Sequence, residues 1–353
     1  MVVARPYGVT ADGHAVTEYT LENARGMQVK CLDWGGRVTS IRVPDREGHL
    51  VDVVLGFDAL AEYEADTQSL GAFVGRYANR IERAVFTLDG VEHRLQVNNG
   101  PNHNHGPWGS RPMQADWAVG GDRLILRYHS PAGEDDMPGT VDAQVQYILE
   151  EDNTLTIRYH AVTDAATPIN LTNHSYFNLD GGGDVLNQKL RIYASRYLEG
   201  NNQCCPTGAI LPVADTPMDF TAGKLIGREI DTGFAQTTMV GGGYDHCYVI
   251  DRARGSSQSI CAWATSDKTG ISMKLYTTQP GIQLYTANFL QDCPSPGKGG
   301  KPLQKYGGFA LETQHYPCSP SHPEFPSTVL RAGKVFRATT TLRFFTGKQC
   351  GKL

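Results

Sequence analysis

Two residues stand out for acid–base chemistry, His174 in Asn170-Leu171-Thr172-Asn173-His174-Ser175-Tyr176-Phe177-Asn178 and Glu312 in Phe309-Ala310-Leu311-Glu312-Thr313-Gln314-His315-Tyr316-Pro317. A histidine titrates near neutrality and can serve as a general acid. The alternative for His174 is a core histidine bonded to a carbonyl. Glu312 follows an apolar run, and such a setting raises a carboxylate's proton affinity enough to make it a general base. Its alternative is an exposed strand glutamate. Two further segments are polar beside apolar neighbours, Gly75-Arg76-Tyr77-Ala78-Asn79-Arg80-Ile81 and Asn98 to Gly106. Such groups are costly to bury unless they pair with one another or with a ligand. A sugar, whose hydroxyls each donate and accept, needs this kind of inventory.

Other candidates are more ambiguous. His103 and His105 share a strand face if the segment is extended, which would suit a metal completed by His174, His246 or His315. The Asn, Gly and Pro around them favour a loop with no metal and a solvated His103. Asp245, after Gly241-Gly242-Gly243-Tyr244, reads as a useful carboxylate on a turn, since a phosphate loop would need a lysine and a following helix. Arg80, between Asn79 and Ile81, reads as a partly buried strand arginine able to offer fixed hydrogen bonds to sugar oxygens.

The elements that must hold these residues are strands. Period-two alternation marks Arg123 to His129, Ala143 to Leu149, Thr154 to Ala161 and Val335 to Phe345. Turn signals separate them, such as Leu88-Asp89-Gly90 and Lys268-Thr269-Gly270. The helical candidate is short, Asp58 to Glu64 with Asp58 as its cap. Many short strands predict an all-β fold, a large antiparallel sandwich with few short helices. Gly181 to Gly183 and Pro294 to Pro302 read as loops, so residues 1–353 are expected to form a single domain.

Composition narrows the partner. The 353 residues carry 32 basic and 37 acidic side chains, a net charge of −5 without any basic stripe. This argues against nucleic acid and gives no reason to expect an anionic membrane. No apolar run reaches the ~18 residues of a membrane span. No secretory signal is visible, and eight scattered cysteines include no C-x-x-C pair, so free thiols and a cytoplasmic location are expected. A disulfide between the adjacent Cys204 and Cys205 is the alternative. The expected partner is a small neutral molecule.

Five motifs in order then resemble one family. Gly75–Ile81 (GRYANRI), Leu171–Leu179 (LTNHSYFNL), Gly243–His246 (GYDH), Gly281–Leu290 (GIQLYTANFL) and Ala310–Pro317 (ALETQHYP) are similar to the motifs of the galactose mutarotase, or aldose 1-epimerase, family. The resemblance implies a β-supersandwich with an open sugar cleft and no cofactor. It implies that the chain interconverts the anomers of a free aldose such as galactose or glucose. It carries general acid onto His174, general base onto Glu312, and a second active-site histidine onto His105. Asn79, Arg80, Asp245 and Gln283 match positions that hold sugar hydroxyls. The chain departs from the family's pattern at Pro107, usually glycine, at Cys318, usually aspartate, and at His322, usually asparagine. These departures leave the acid–base pair intact and bear on substrate preference. Two other readings remain at this level, a glycoside hydrolase using Glu312 and Asp245, and a non-catalytic sugar-binding module. Both a monomer and a homodimer are compatible with the sequence.

Overall fold

The alternating segments become the central strands of two large antiparallel sheets. The structure, a computed structural model, describes residues 1–252 and 255–347. A nine-stranded sheet runs in the order Gln114–Trp117, Arg123–Ser130, Val141–Leu149, Thr154–Thr163, Val335–Thr346, Ile271–Thr277, Ser259–Thr265, Lys189–Ile192 and Lys224–Leu225. A six-stranded sheet runs Tyr176–Phe177, Phe309–Gln314, Gly281–Tyr285, Asp245–Val249, Arg196–Gly200 and Pro206–Pro212. A five-stranded meander covers Val2 to Asp52. The four strands expected from alternation are present, each extended by one or two residues.

The two larger sheets face each other across one apolar core. Val145, Tyr147, Leu155, Ile157 and Leu275 of the first meet Ile282, Leu284 and Leu311 of the second, all buried. Thr313 and Thr340 hydroxyls bond across the interface at 2.5 Å, satisfying polar groups that burial would otherwise leave unpaired. Because side chains alternate along a strand, Leu311 and Thr313 facing the core put Glu312 on the outer face of the six-stranded sheet.

Helix is scarce among the described residues, with short α-helices at Leu60–Glu64 and Ala235–Met239. The first begins one residue later than expected, since its cap is Ala59, not Asp58. The Glu62 carboxylate reaches back to accept the Asp58 and Ala59 N–H groups at 2.9 Å each. That satisfies the open end of the helix, and the Asp58 carboxylate instead accepts from Gly299 N–H at 2.6 Å. The seven described cysteines are free thiols, Cys204 and Cys205 included, and Cys350 lies outside the described residues. No helix among the described residues is long and apolar enough to cross a membrane.

Candidate active site

Strand register builds the floor of the site. Gln283 sits directly opposite both Glu312 and Cys247, and Tyr285 sits opposite both Ala310 and Asp245. These side chains therefore form two adjacent rows on one face of the sheet. Loops close over that face and leave a cleft of about 490 Å³, within the ~300–1,000 Å³ usual for small-molecule sites. Asn79, Arg80, His105, His174, Tyr176, Asp245, Tyr285 and Glu312 all line it.

His174 lies between two short strands, where its backbone is pinned from both sides. Its N–H donates to Ala72 O at 2.9 Å, and its carbonyl accepts from Gly71 N–H at 3.0 Å. Its ring stacks on Tyr176, with centroids 4.8 Å apart, and meets the edge of His105 at 5.2 Å. His174 Nε2 stands 3.5 Å from Glu312 Oε1. Both residues are buried, and neither His174 Nδ1 nor Glu312 Oε2 has a hydrogen-bond partner. A buried polar atom left without a partner costs free energy unless something else supplies one.

Burial dominates the protonation of this pair. It pushes Glu312 up to about 8, helped by the negative Asp245 and opposed by Arg80. It pulls His174 down to about 4. Between those values the pair holds one proton, and burial favours its residence on Glu312. The acid–base assignment given above would instead start from a protonated His174 and an ionised Glu312, so desolvation opposes that form in the protein alone.

His105 is half-buried and has a defined tautomer. The Asn79 N–H donates to His105 Nδ1 at 3.1 Å, while the His105 N–H donates to Asn79 O at 3.2 Å. An occupied Nδ1 lone pair puts the ring proton on Nε2. Burial holds the imidazole well below its ordinary range, assisted by the positive potential of His174 and Arg80. His105 is thus a neutral donor. One ligand atom from each of His105, His174 and Glu312 falls within a 4.8 Å cluster, a set that invites comparison with a metal site. Metal at His105 Nε2 would drive its proton onto Nδ1, against the Asn79 N–H, which makes it a poor third ligand.

The other sugar-binding candidates form a linked row. Arg80 Nη1 lies 3.4 Å from Asp245 Oδ2, and Arg80 Nε donates to Asn99 Oδ1 at 3.0 Å. Gln283 Nε2 donates to Asp245 Oδ1 at 2.6 Å. Gln283 is buried behind Asp245 and does not line the cleft, so it positions that carboxylate. Asp245 opens a strand and does not sit on a turn.

Several expectations are corrected. His103 is fully buried, not solvated, with Nε2 2.9 Å from Asp135 and Nδ1 2.9 Å from Gln96 O. It does not share a face with His105, because His105 takes a left-handed conformation, φ 59°, that turns the chain. Pro107, Cys318 and His322 do not line the cleft. Pro107 starts a 3-10 turn, Cys318 is buried, and His322 stacks on Phe325 with its ring paired to Glu324. Sequence reasoning missed the segments Thr67-Gln68-Ser69 and Asn202-Gln203-Cys204 along the rim. The polar run Asn201-Asn202-Gln203 was a usable signal for the second. Tyr285 and Phe289, both within Gly281–Leu290, also line the cleft.

With this geometry in place, comparison with known proteins is decisive. The family model for aldose 1-epimerase matches residues 17–343. The chain belongs to the aldose 1-epimerase family. It is 37% identical over 338 residues to the aldose 1-epimerase of Escherichia coli (strain K12), covering 94% of this chain and 96% of that one. It is 36% identical over 343 residues to the galactose mutarotase of Sus scrofa, covering 96% and 97%. Among solved structures, an aldose epimerase homologue from C. elegans superposes with a TM-score of 0.86 at 31% identity, over 93% of this chain and 98% of that one. A galactose 1-epimerase from Lactobacillus acidophilus gives 0.85 at 25% identity, over 98% and 99%. The chain is an enzyme of the isomerase class with mutarotase activity, on the supersandwich scaffold that its relatives share.

Proposed function

We propose that the enzyme interconverts the α and β anomers of a free neutral aldohexose, galactose or glucose, with His174 as general acid and Glu312 as general base. The observation that carries this is the buried His174–Glu312 contact at 3.5 Å on the cleft floor. Glu312 takes the proton of the anomeric hydroxyl while His174 gives one to the ring oxygen, and the C1–O5 bond breaks. The open aldehyde turns about C1–C2, and the ring recloses with the roles reversed.

The electrostatics suit this cycle. Ring opening converts an ion pair into a neutral histidine and a neutral carboxylic acid without changing the proton count. Burial favours that neutral state, so desolvation works in the direction of ring opening. The cost falls on forming the ion pair with the closed sugar, where sugar hydroxyls can serve as partners for Glu312 Oε2. His105 donates to a sugar oxygen from Nε2. Asn79, Arg80 and Asp245 hold hydroxyls, with Gln283 orienting Asp245.

A two-carboxylate hydrolase is less well supported, because both Asp245 oxygens are already engaged, by Arg80 and by Gln283. A binding module has no use for a buried pair poised on one proton. We further propose that residues 1–353 act as one domain, a reading supported by the 17–343 span of the family match. The unpaired thiols of the described cysteines support a reducing compartment such as the cytoplasm.

Polarimetry of freshly dissolved α-anomers of glucose, galactose, xylose, arabinose and fucose tests the substrate class. The rotation of galactose or glucose should relax much faster with enzyme than without. Acceleration confined to the pentoses and fucose would overturn the aldohexose assignment.

A further inference from the structure

Two neighbouring carboxylates that the chemistry above does not use hold the loop that carries His105. His105 follows the short strand His103–Asn104, which pairs with Arg80–Ile81, and precedes the 3-10 turn Pro107–Ser110. Glu134 and Asp135 stand together in another 3-10 turn, Glu134–Asp136. Asp135 meets the loop before His105, at His103, and Glu134 meets it after, at Trp108 and Arg111.

Both oxygens of Glu134 are engaged twice. Its Oε2 accepts from Trp108 Nε1 at 3.2 Å and from Ser130 Oγ at 2.6 Å, and its Oε1 accepts from Arg111 Nε at 3.0 Å and from the Tyr128 hydroxyl at 2.6 Å. Burial opposes its charge, but the hydrogen bonds from Ser130, Tyr128 and Arg111 outweigh burial and hold it below the ordinary glutamate range. Trp108 and Arg111 are thereby fixed, and with them the far end of the His105 loop.

His103 fixes the near end, and its contacts define its charge. Its Nδ1 lies 2.9 Å from Gln96 O, which can only accept, so Nδ1 carries a hydrogen. Its Nε2 stands 2.9 Å from Asp135 Oδ2. One proton therefore lies in that contact, on the imidazole or on the carboxyl. An aspartate ordinarily ionises near pH ~3.9 and a histidine near ~6.5. The Asp135 side chain also keeps 12% exposure to water, so the proton belongs on His103. Burial works against that charge, but Asp135 outweighs it and holds the imidazole above its ordinary range. Arg76 lies within electrostatic reach of both Glu134 and Asp135. Glu82 and Arg83, opposite in charge, sit in the turn packed beside the His103 strand.

We propose that Asp135 is a positioning residue for the reaction, acting through a buried His103 imidazolium to hold the strand that places His105 against the sugar. The effect on turnover rests on the role given to His105 above. His105 takes its place from the backbone, through its two hydrogen bonds with Asn79. The His103–Asn104 ladder that leads into those bonds is only two residues long, so the side-chain anchor at His103 decides where it lies. Arg80 is held independently, by the Cys318 N–H on its carbonyl and by Asn99 and Asp245 on its side chain. Loss of the anchor therefore falls on His105 and spares the Arg80 contacts. Asp135 itself sits at φ 56°, a left-handed conformation that glycine and asparagine tolerate.

The test uses the full chain labelled with 15N-histidine, together with Asp135→Gly and Asp135→Asn, neither of which strains the backbone. In sugar-free wild type at neutral pH, both ring nitrogens of His103 should carry protons, and His105 should show its proton on Nε2. A neutral His103 would overturn the proposal. Asp135→Gly should move the His105 ring signals and lower kcat for galactose about tenfold, with KM changed by less than about twofold. Asp135→Asn should restore kcat and the His105 signals with His103 now neutral, because the introduced amide can donate to its Nε2. Unmoved His105 signals in Asp135→Gly, or an Asp135→Asn variant as impaired as Asp135→Gly, would overturn the positioning role. The ring signals are read without any sugar. If they move in Asp135→Gly while galactose kinetics stay unchanged, the hold on His105 stands and its role toward the sugar fails.

Discussion

At the scale of single residues, the account turns on one proton shared by His174 and Glu312. The pair is in its working state only while it holds that one proton. Values of about 4 for His174 and about 8 for Glu312 set the limits. A pH profile of kcat/KM for galactose should fall below about pH 4 and above about pH 8, since this parameter reports the free enzyme. Activity that kept rising past pH 9 would contradict the one-proton pair. The same burial has a stability consequence. Folded Glu312 keeps its proton up to about pH 8, while the unfolded chain releases it in the ordinary glutamate range. Its contribution to stability is full below that range and is lost as pH rises toward 8. Glu312→Gln has no such loss, so its advantage over wild type should grow across that window, on the order of several kcal/mol. Chemical denaturation at several pH values would read it, and a pH-independent difference would argue against a protonated Glu312.

At the scale of elements, the site depends on how closely two loops approach. The loop carrying Asn79 and Arg80 and the one carrying His105 meet at Gly75 and Gly106. A Cβ on Gly106 would lie 2.3 Å from Gly75 O, and one on Gly75 would lie 2.1 Å from the Trp108 ring. Neither contact can be relieved without moving the loops, because one meets backbone and the other a buried indole. Gly106→Ala should shift His105 off its bond to Asn79, lowering kcat/KM for galactose at least tenfold and lowering Tm by several degrees. Unchanged kinetics would show that the His105 loop need not be held so closely. The strands themselves were legible, since Arg123 to His129 and Thr154 to Ala161 alternate strongly enough to fix their faces. The loop contacts were not. His103 looked solvated from its Asn- and Pro-rich neighbours, yet Asp135, distant in sequence, buries and pairs it. Cap choice at the first helix was likewise decided by Glu62 reaching back, which outcompeted Asp58.

At the scale of the whole molecule, the sandwich brings together groups far apart in sequence. Asn79, His105, His174, Asp245 and Glu312 come from separate segments and meet in one cleft. Family motifs named four of these residues, because each motif carries its own polar signature, and the resemblance added His105 from the polar segment Asn98 to Gly106. Periodicity alone could not have grouped them, since strand order and register decide who meets whom. Register also explains the role of Gln283, which lies opposite Glu312 yet acts on Asp245. The rim residues of the 67–69 and 202–204 segments escaped notice because exposed polar loops look alike until a fold places them. What the scaffold delivers is one acid and one base at the cleft floor, and one measurement addresses that directly. The rotation of freshly dissolved α-galactose should be followed with wild type, His174→Asn and Glu312→Gln, each verified as folded. Wild type should accelerate mutarotation strongly, and each variant should lose ~100- to 10,000-fold of that acceleration. A folded variant that retained near wild-type rates would contradict the acid–base pair at the centre of the account.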